Sequence, residues 1–368
     1  MNFTKPEVYE KLKSCSIAWF EKYNQFLIVD GVIEKIFQEF FESNINSFED
    51  YSKTLSIEQK EEFLSVIKSA NLTENNPPEK TSNKTDVIKQ LNRGISCSYK
   101  VGNKNLEIIY QTEKIKEVFE KPFKHLEINN SNNSEISFYI EEGVKRLFLF
   151  KNDELKFECL KKEYHLLEAK LSEVFTGIYH KNENWLSSFH ASSVSNNSKS
   201  FLILGKSGSG KSTLTALLCL HGFRFISDDL VLMSENQEIY DNPMATSLKE
   251  NSWSPIINHY PKLNSIKAVR LSKKGNRVKY LDFHRLQKNR NKHFKIKDLL
   301  WVNYNSNSNN LIRPIDEKES LKRLIPETWI KNDVDSIKNW ISWFRDCKSW
   351  EICYNNFNIA LQKINQVL

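Results

Sequence analysis

The sequence predicts an α/β protein with three parts: an N-terminal helical segment, a β-rich region and a C-terminal α/β core. Three observations support this fold class. Residues 201–220 run from an apolar stretch, "FLIL", through a glycine-rich loop into a second apolar stretch with helical character. Five short runs with alternating polarity lie between positions 95 and 160, and such runs are typical of strands. The first 75 residues place apolar side chains three and four positions apart, which favours helices.

Composition and charge are those of a globular protein. Of 368 residues, 39% are hydrophobic and 27% are charged, and the net charge of +7 suits an anionic ligand. The longest apolar run, 214–220, is far shorter than the roughly 20 residues that span a bilayer, and no apolar signal core opens the chain. We therefore expect a cytoplasmic protein without a membrane partner. The six cysteines stand singly, so we expect reduced thiols and no zinc site.

The N-terminal segment, residues 1–75, is predicted to be helical. The stretches 7–23, 32–43 and 56–70 carry Ile, Leu, Phe and Trp at helical spacing, and Ser56 with Gln59 resembles a capping box. Residues 76–86 then contain two prolines and no apolar side chain, which is typical of an exposed linker. The sequence thus predicts a domain boundary there and leaves the N-terminal segment as a candidate for recognising a partner or a substrate.

The β-rich region is assigned to residues 87–184 and the core to residues 185–368. We expect strands in the runs "ISCSYKV", "NLEIIYQ", "SEISFYIEEG", "KRLFLFKN" and "ELKFECL", and a helix over 163–180. The core begins with two predicted buried strands, 185–194 ("WLSSFHASSV") and 200–205 ("SFLILG"). The second of them leads directly into the glycine-rich loop.

This loop matches the pattern G-x-x-x-x-G-K-[ST] of phosphate-binding (Walker A) loops at Gly205, Gly210, Lys211 and Ser212. Glycines allow backbone N–H groups to converge on phosphate oxygens at a helix N-terminus. Lys211 is expected to reach the terminal phosphates and Ser212 to ligate Mg²⁺. The predicted nucleotide-binding residues are Gly205, Lys206, Ser207, Gly208, Ser209, Gly210, Lys211, Ser212 and Thr213. ATP and Mg²⁺ are therefore the expected cofactors.

An acidic pair, Asp228 and Asp229, follows Lys211 by seventeen positions. A short helix and the strand "FRFIS" fill the interval, so the pair is expected at the carboxyl end of a strand, where open α/β sheets bind ligands. Carboxylates beside a magnesium nucleotide can ligate the metal or accept the proton of an attacking hydroxyl. With Ser212 they form the predicted metal set, and the alternative role is a helix cap.

These residues as a group resemble the HPr kinase/phosphorylase superfamily, and more closely its HPr-kinase-related branch. The resemblance covers about residues 86–368 and depends on His190 in "FHASSV", the glycine-rich loop and "RFISDDL". It implies a P-loop kinase core in which Asp228 accepts the proton of a substrate hydroxyl, Asp229 supports the metal or the acceptor, and His190 lies near the transferred phosphate. Lys211 completes the implied catalytic set.

The resemblance has two departures. Position 206 is Lys where HPr kinases usually carry an acidic residue, and the second glycine-rich signature is missing. The implication therefore does not extend to a phosphorylase activity, to HPr as the substrate or to the hexamer of that family. Proteins of the related branch often accompany genes for modified peptides, and some phosphorylate a Ser of a precursor peptide.

The sequence therefore predicts a phosphotransferase that moves the γ-phosphate of ATP to a Ser-type hydroxyl of a peptide or protein. A nucleotide-binding regulatory protein without transfer activity and a small-molecule kinase remain the alternatives. Basic residues crowd positions 262–297, and one of them, such as Arg270 or Arg277, could serve the transferred phosphate. Nucleic acid is not expected as a partner, since the aromatic residues in that run fit core packing. Acceptor identity and oligomeric state, including a homo-oligomer, stay open.

Overall fold

The computed structural model describes residues 5–45, 48–69, 94–129, 134–181, 184–196, 199–270, 277–287 and 293–367. Its α-helices are α1 (Gly31–Glu42), α2 (Phe48–Tyr51), α3 (Ile57–Ser69), α4 (Glu113–Phe119), α5 (Tyr164–His180), α6 (Lys211–Leu220), α7 (Trp253–Ile257), α8 (Phe283–Leu286), α9 (Glu317–Leu324), α10 (Val334–Arg345) and α11 (Phe357–Val367). None of these helices is long and apolar enough to cross a membrane.

The strands are β1 (Val8–Lys11), β2 (Ser16–Phe20), β3 (Gln25–Val29), β4 (Ile95–Val101), β5 (Lys104–Tyr110), β6 (Glu127–Ile128), β7 (Ile136–Glu142), β8 (Arg146–Lys151), β9 (Glu154–Leu160), β10 (Trp185–Phe189), β11 (Ser192–Ser195), β12 (Ser200–Leu204), β13 (Arg224–Ser227), β14 (Val231–Ser234), β15 (Glu238–Tyr240), β16 (Thr246–Lys249), β17 (Val269–Arg270), β18 (Arg277–Leu281), β19 (His293–Tyr304), β20 (Leu311–Pro314), β21 (Thr328–Ile330) and β22 (Lys348–Tyr354). The chain is thus a mixed α/β protein, as the sequence predicts.

The N-terminal segment differs from its prediction, because β1, β2 and β3 form a three-stranded antiparallel sheet where a helix was expected over 7–23. The apolar residues there fit the period of a helix as well as that of a strand, since the runs are short and are broken by turns. Trp19 and Phe20 belong to residue types that favour strands, and Asn24 takes a left-handed φ of 46° in the turn before β3. The helical prediction holds only from α1 onward.

The remainder of this segment is helical and packs against the new sheet. The capping box is confirmed: the Ser56 N–H donates to Gln59 at 3.0 Å and the Gln59 N–H to the Ser56 hydroxyl at 3.2 Å. Phe37 and Phe63, from α1 and α3, stack with ring centroids 4.7 Å apart beneath the sheet. The predicted linker, 76–86, lies outside the described residues.

The predicted strands between 95 and 160 are confirmed as members of a six-stranded sheet, ordered β6-β4-β5-β7-β8-β9. The helix expected over 163–180 is confirmed as α5, which lies over this sheet. Tyr99, Phe123 and Phe175 pack together between them, with ring centroids 4.5 to 6.3 Å apart. This cluster gives the region a core of its own.

A ten-stranded sheet forms the centre of the structure. Its order is β13-β11-β12-β19-β15-β14-β10-β21, and β22 and β20 add beside β19. Among the described strands of this sheet, the neighbouring pairs that run parallel are β12 with β19 and β19 with β22. Since successive residues of a strand point to opposite faces, Phe201 and Ile203 pack towards α6 and α11, whereas Leu202 and Leu204 pack towards α9 and α10. Helices therefore cover both faces.

The N-terminal sheet packs against the face of the central sheet that α9 and α10 cover. Ile17 and Trp19 are fully buried in the same cluster as Leu202 and Trp340. The rings of Phe26 and Trp340 lie 6.2 Å apart, and Arg345 of α10 bonds Glu10 of β1 at 2.6 Å. The N-terminal unit is thereby attached to the face of the central sheet that lies opposite α6.

Candidate active site

The glycine-rich loop connects the end of β12 to the start of α6. Gly205, Gly208 and Gly210 have φ values of +146°, +84° and +100°, which disfavour any side chain. A Cβ at Gly205 would lie 2.7 Å from the Val302 carbonyl oxygen, so space as well as backbone geometry requires glycine there. The strand–loop–helix context expected from the sequence is therefore present around residues 205–212.

Lys211 begins α6 and is buried, with 8% of its surface exposed. Its Nζ donates to the Gly205 carbonyl at 2.6 Å, so the side chain folds back across its own loop. Burial lowers the pKa of Lys211, while the nearby carboxylates Glu327 and Asp229 oppose that shift. A buried ammonium facing a cavity is suited to binding an anion.

Asp228 lies directly after β13, where the sequence predicts it, and faces the first turn of α6. Its Oδ1 accepts hydrogen bonds from the hydroxyls of Ser212, at 3.0 Å, and of Ser192. Burial raises the pKa of Asp228 to about 6, and the neighbouring Asp229 adds to that shift. The structure thus brings together Ser212 and Asp228, two members of the predicted metal set.

Asp229 takes a left-handed φ of +69°, and its side chain is 84% exposed. Its Oδ1 lies 3.5 Å from Nε2 of His190, and this contact lowers the pKa of Asp229. A non-glycine residue with positive φ is uncommon and often marks a functional position. The two acids therefore have separate partners.

His190 lies at a break that the sequence does not predict. Residues 185–194 were expected to form one strand, but β10 ends at Phe189 and β11 begins at Ser192. The interruption has a topological cause, since β10 pairs with β14 and β21 whereas β11 pairs with β12 and β13. His190 therefore lies in the two-residue link between β10 and β11.

Glu327, which the sequence analysis missed, holds the other side of this imidazole. Its Oε2 lies 2.7 Å from Nδ1 of His190, and its backbone carbonyl accepts the His190 N–H at 2.8 Å. Asp229 raises the pKa of His190, with a smaller contribution in the same direction from Glu327. No local signal could have identified Glu327, because it reaches the site only through the pairing of β10 with β21.

A cavity of about 500 Å³ opens over the loop. Its lining includes charged or titratable side chains (His190, Lys211, Asp229), apolar side chains (Leu217, Pro255, Phe357) and three asparagines (Asn251, Asn258, Asn355). Of the predicted nucleotide-binding residues, seven line the cavity: Lys206, Ser207, Gly208, Gly210, Lys211, Ser212 and Thr213. Gly205 and Ser209 belong to the loop but do not line the cavity. A lining that combines cationic, apolar and aromatic side chains could hold a phosphorylated aromatic ligand.

The basic run supplies no described side chain to this cavity. Arg277 pairs with Glu250 at 3.1 Å, and the buried Lys279 donates to the Leu263 carbonyl at 2.7 Å. The side chain of Arg270 lies outside the described residues. The additional cation is instead Lys249 at the end of β16, which precedes the run and was not predicted.

A second group of metal-type side chains lies in the six-stranded sheet. Ligand atoms of Cys97, Glu120 and Glu127 lie within 4.8 Å of one another. Lys116 and Lys124 already pair with Glu120, at 3.7 and 2.8 Å. Because ammonium groups balance these acids, the oxygen set of Ser212 and Asp228 fits Mg²⁺ better.

Comparisons with known proteins add little. No protein-family model and no curated protein matches the chain. Among solved structures, it is similar to the HPr(Ser) kinase/phosphatase from Coxiella burnetii, with 14% sequence identity and a TM-score of 0.25 over 49% of this chain and 93% of that one. A likeness this distant carries no argument about the site.

Proposed function

We propose that the protein is an ATP- and Mg²⁺-dependent phosphotransferase that transfers the γ-phosphate to a Ser-type hydroxyl of a peptide or protein. The observation that carries this proposal is the hydrogen bond from Ser212, which lines a nucleotide-sized cavity together with the buried Lys211, to Asp228, which does not itself line the cavity. It supports a triphosphate and a proton acceptor in the same place, which phosphoryl transfer requires.

In this proposal the triphosphate lies along the loop and Lys211 moves from the Gly205 carbonyl to the terminal phosphates. Ser212 and Asp228 would hold Mg²⁺, since a hydroxyl and a carboxylate are the hard oxygen ligands that this ion takes. When bound, the ion would neutralise charge on the β- and γ-phosphate oxygens. Leu217, Pro255 and Phe357, which also line the cavity, would contact the base.

The transfer step needs one proton acceptor. The acceptor oxygen forms a bond to the γ-phosphorus, the bond from that phosphorus to the bridging oxygen of ADP breaks, and the hydroxyl proton passes to Asp228. An ionised carboxylate within reach of the acceptor hydroxyl can take this proton. His190 and Asp229, which line the same cavity, would contact the phosphate and the acceptor.

The three parts of the chain would divide the task. We assign nucleotide binding and chemistry to residues 185–368, and support of the acceptor to the β-rich region over 87–184. The N-terminal part, 1–75, would recognise the peptide or protein. Its sheet is attached to the core through Phe26 and Trp340, on the face opposite α6.

The test is transfer of label from γ-labelled ATP to candidate peptides, proteins and small hydroxyl compounds in the presence of Mg²⁺. Asp228→Asn should lower the rate by about 100- to 10,000-fold while ATP still binds. Asp335→Asn, at an exposed aspartate of α10, is the matched control and should transfer normally. Tight ATP binding without any labelled product would instead favour a regulatory protein, and label found only on small compounds would favour a small-molecule kinase.

A further inference from the structure

We propose that Glu327 is a positioning residue that fixes the His190 imidazole with its Nε2 directed at Asp229 and the cavity. The inference rests on the proposed function for its kinetic consequence, but its structural content concerns only the ring. Three observations carry it: a double contact between the two residues, a rigid support behind Glu327, and the place of His190 in the cavity wall.

The double contact restrains both the backbone and the ring of His190. The carbonyl of Glu327 accepts the His190 N–H at 2.8 Å, and its carboxylate lies 2.7 Å from Nδ1. With Nδ1 engaged, Nε2 faces Asp229 at 3.5 Å. A histidine whose far nitrogen is bound in this way presents its near nitrogen in one orientation.

Glu327 is itself held firmly. It ends the single turn Ile325–Glu327 between α9 and β21, and the Thr328 hydroxyl next to it donates to the Leu324 carbonyl at 2.8 Å. Thr328 in turn lies opposite Phe189 in the pairing of β21 with β10. The backbone that carries the carboxylate is therefore fixed relative to that of His190.

The charged groups around the ring show why orientation matters. Asp229, from the loop after β13, and Lys211, from α6, face His190 together with Glu327. His190, Asp229 and Lys211 all line the cavity, whereas Glu327 does not. Glu327 thus acts through His190, and a ring that lost this contact could turn its Nε2 away from Asp229 and from a bound phosphate.

The kinetic experiment compares Glu327→Gln with Glu327→Leu in the full chain. The glutamine can still accept from Nδ1, so we expect kcat within about threefold of wild type, whereas leucine should lower kcat by about 10- to 100-fold with the KM for ATP nearly unchanged. In a His190→Ala background Glu327→Leu should have no further effect, because both changes act through one ring. The inference would be overturned if Glu327→Leu kept a normal kcat, or if Glu327→Gln lowered kcat as much as Glu327→Leu does.

A spectroscopic arm keeps the inference separate from the proposed function. Ring ¹H–¹⁵N signals of His190, identified by their loss in His190→Gln, should move in Glu327→Leu and stay near their wild-type positions in Glu327→Gln. Glu238→Gln is the matched control, because Glu238 pairs with His293 at 3.1 Å elsewhere in the sheet. If the His190 ring signals did not move in Glu327→Leu, the positioning role would be refuted, even in a protein that transfers phosphate. Shifted signals in a protein without transfer activity would refute only the proposed function.

Discussion

The hydroxyl of Ser212 donates a hydrogen bond to the carboxylate of Asp228 at 3.0 Å, and this contact joins the first turn of α6 to the end of β13. Sixteen positions separate the two residues in the chain. Since Ser212 follows the buried Lys211, the contact also brings a carboxylate beside the cation of the loop. The candidate site is organised around this pair.

Ser212→Ala should weaken binding of magnesium-ATP by about tenfold or more, because it removes one of the two proposed oxygen ligands of the ion. Binding of ATP without the metal should change little. Calorimetric titration with and without Mg²⁺ measures the difference. Ser265→Ala, at an exposed serine that bonds the Lys262 carbonyl, is the control. Equal loss in both titrations would contradict a metal-binding role for Ser212.

Lys249→Ala should weaken ATP binding by about three- to tenfold, because Lys249 adds a cation to the cavity that holds Lys211. The loss should shrink as salt is added, since Lys249 is exposed and screened. Arg277→Ala serves as the comparison, as Arg277 lies in the basic run but pairs with Glu250. If Arg277→Ala bound ATP more weakly than Lys249→Ala, the additional cation of the site would be Arg277 and not Lys249.

Gly205→Ala should destabilise the fold more than Gly222→Ala, although both glycines have positive φ values, +146° and +95°. At Gly205 the new methyl group would lie 2.7 Å from the Val302 carbonyl oxygen, whereas nothing lies within 4 Å at Gly222. We expect a loss in the free energy of unfolding of about 2–4 kcal/mol against about 1 kcal/mol. Urea denaturation of the two variants measures it, and equal losses would show that the loop relaxes around the methyl group.

Glu168→Gln should stabilise the protein at pH 8 but not at pH 4. Burial raises the pKa of Glu168 to about 7, helped by Asp229. The folded state then binds a proton more tightly than the unfolded chain, so wild-type stability falls as the pH rises from about 4.5 to about 7. Glutamine avoids that loss, and we expect a gain of about 1–2 kcal/mol above pH 7. Thermal unfolding from pH 4 to pH 8 measures it.

The same substitution at the exposed Glu117 of α4 provides the control and should leave the pH profile of stability unchanged. A stability difference between Glu168→Gln and wild type that stays constant from pH 4 to pH 8 would show that the titration of Glu168 is not its cause.

Sequence reasoning reached those parts of the site whose residues are close in the chain. The loop, α6 and β13 are consecutive, so the Walker pattern and a carboxylate at the end of the next strand could be identified from spacing alone. The structure shows this carboxylate, Asp228, hydrogen-bonded to Ser212 at the start of α6. The strands between 95 and 160 were equally accessible, because each alternates in polarity and is bounded by turns.

The rest depends on pairing between distant segments. Glu327 reaches His190 because β21 pairs with β10, and Lys249 reaches the cavity because β16 packs beside α6. Neither contact leaves a local pattern. The N-terminal strands were missed for a different reason, since "SIAWF" is buried at every position and a short apolar run has no period that separates strand from helix.

The most direct measurement is a structure of the protein with Mg²⁺ and a non-hydrolysable ATP analogue. The account predicts the triphosphate along residues 205–212, Mg²⁺ on the Ser212 hydroxyl, and the Asp228 carboxylate within one hydrogen bond or one bridging water of the terminal phosphate. A nucleotide bound elsewhere, or a terminal phosphate that neither Lys211 nor Asp228 can reach, would contradict it.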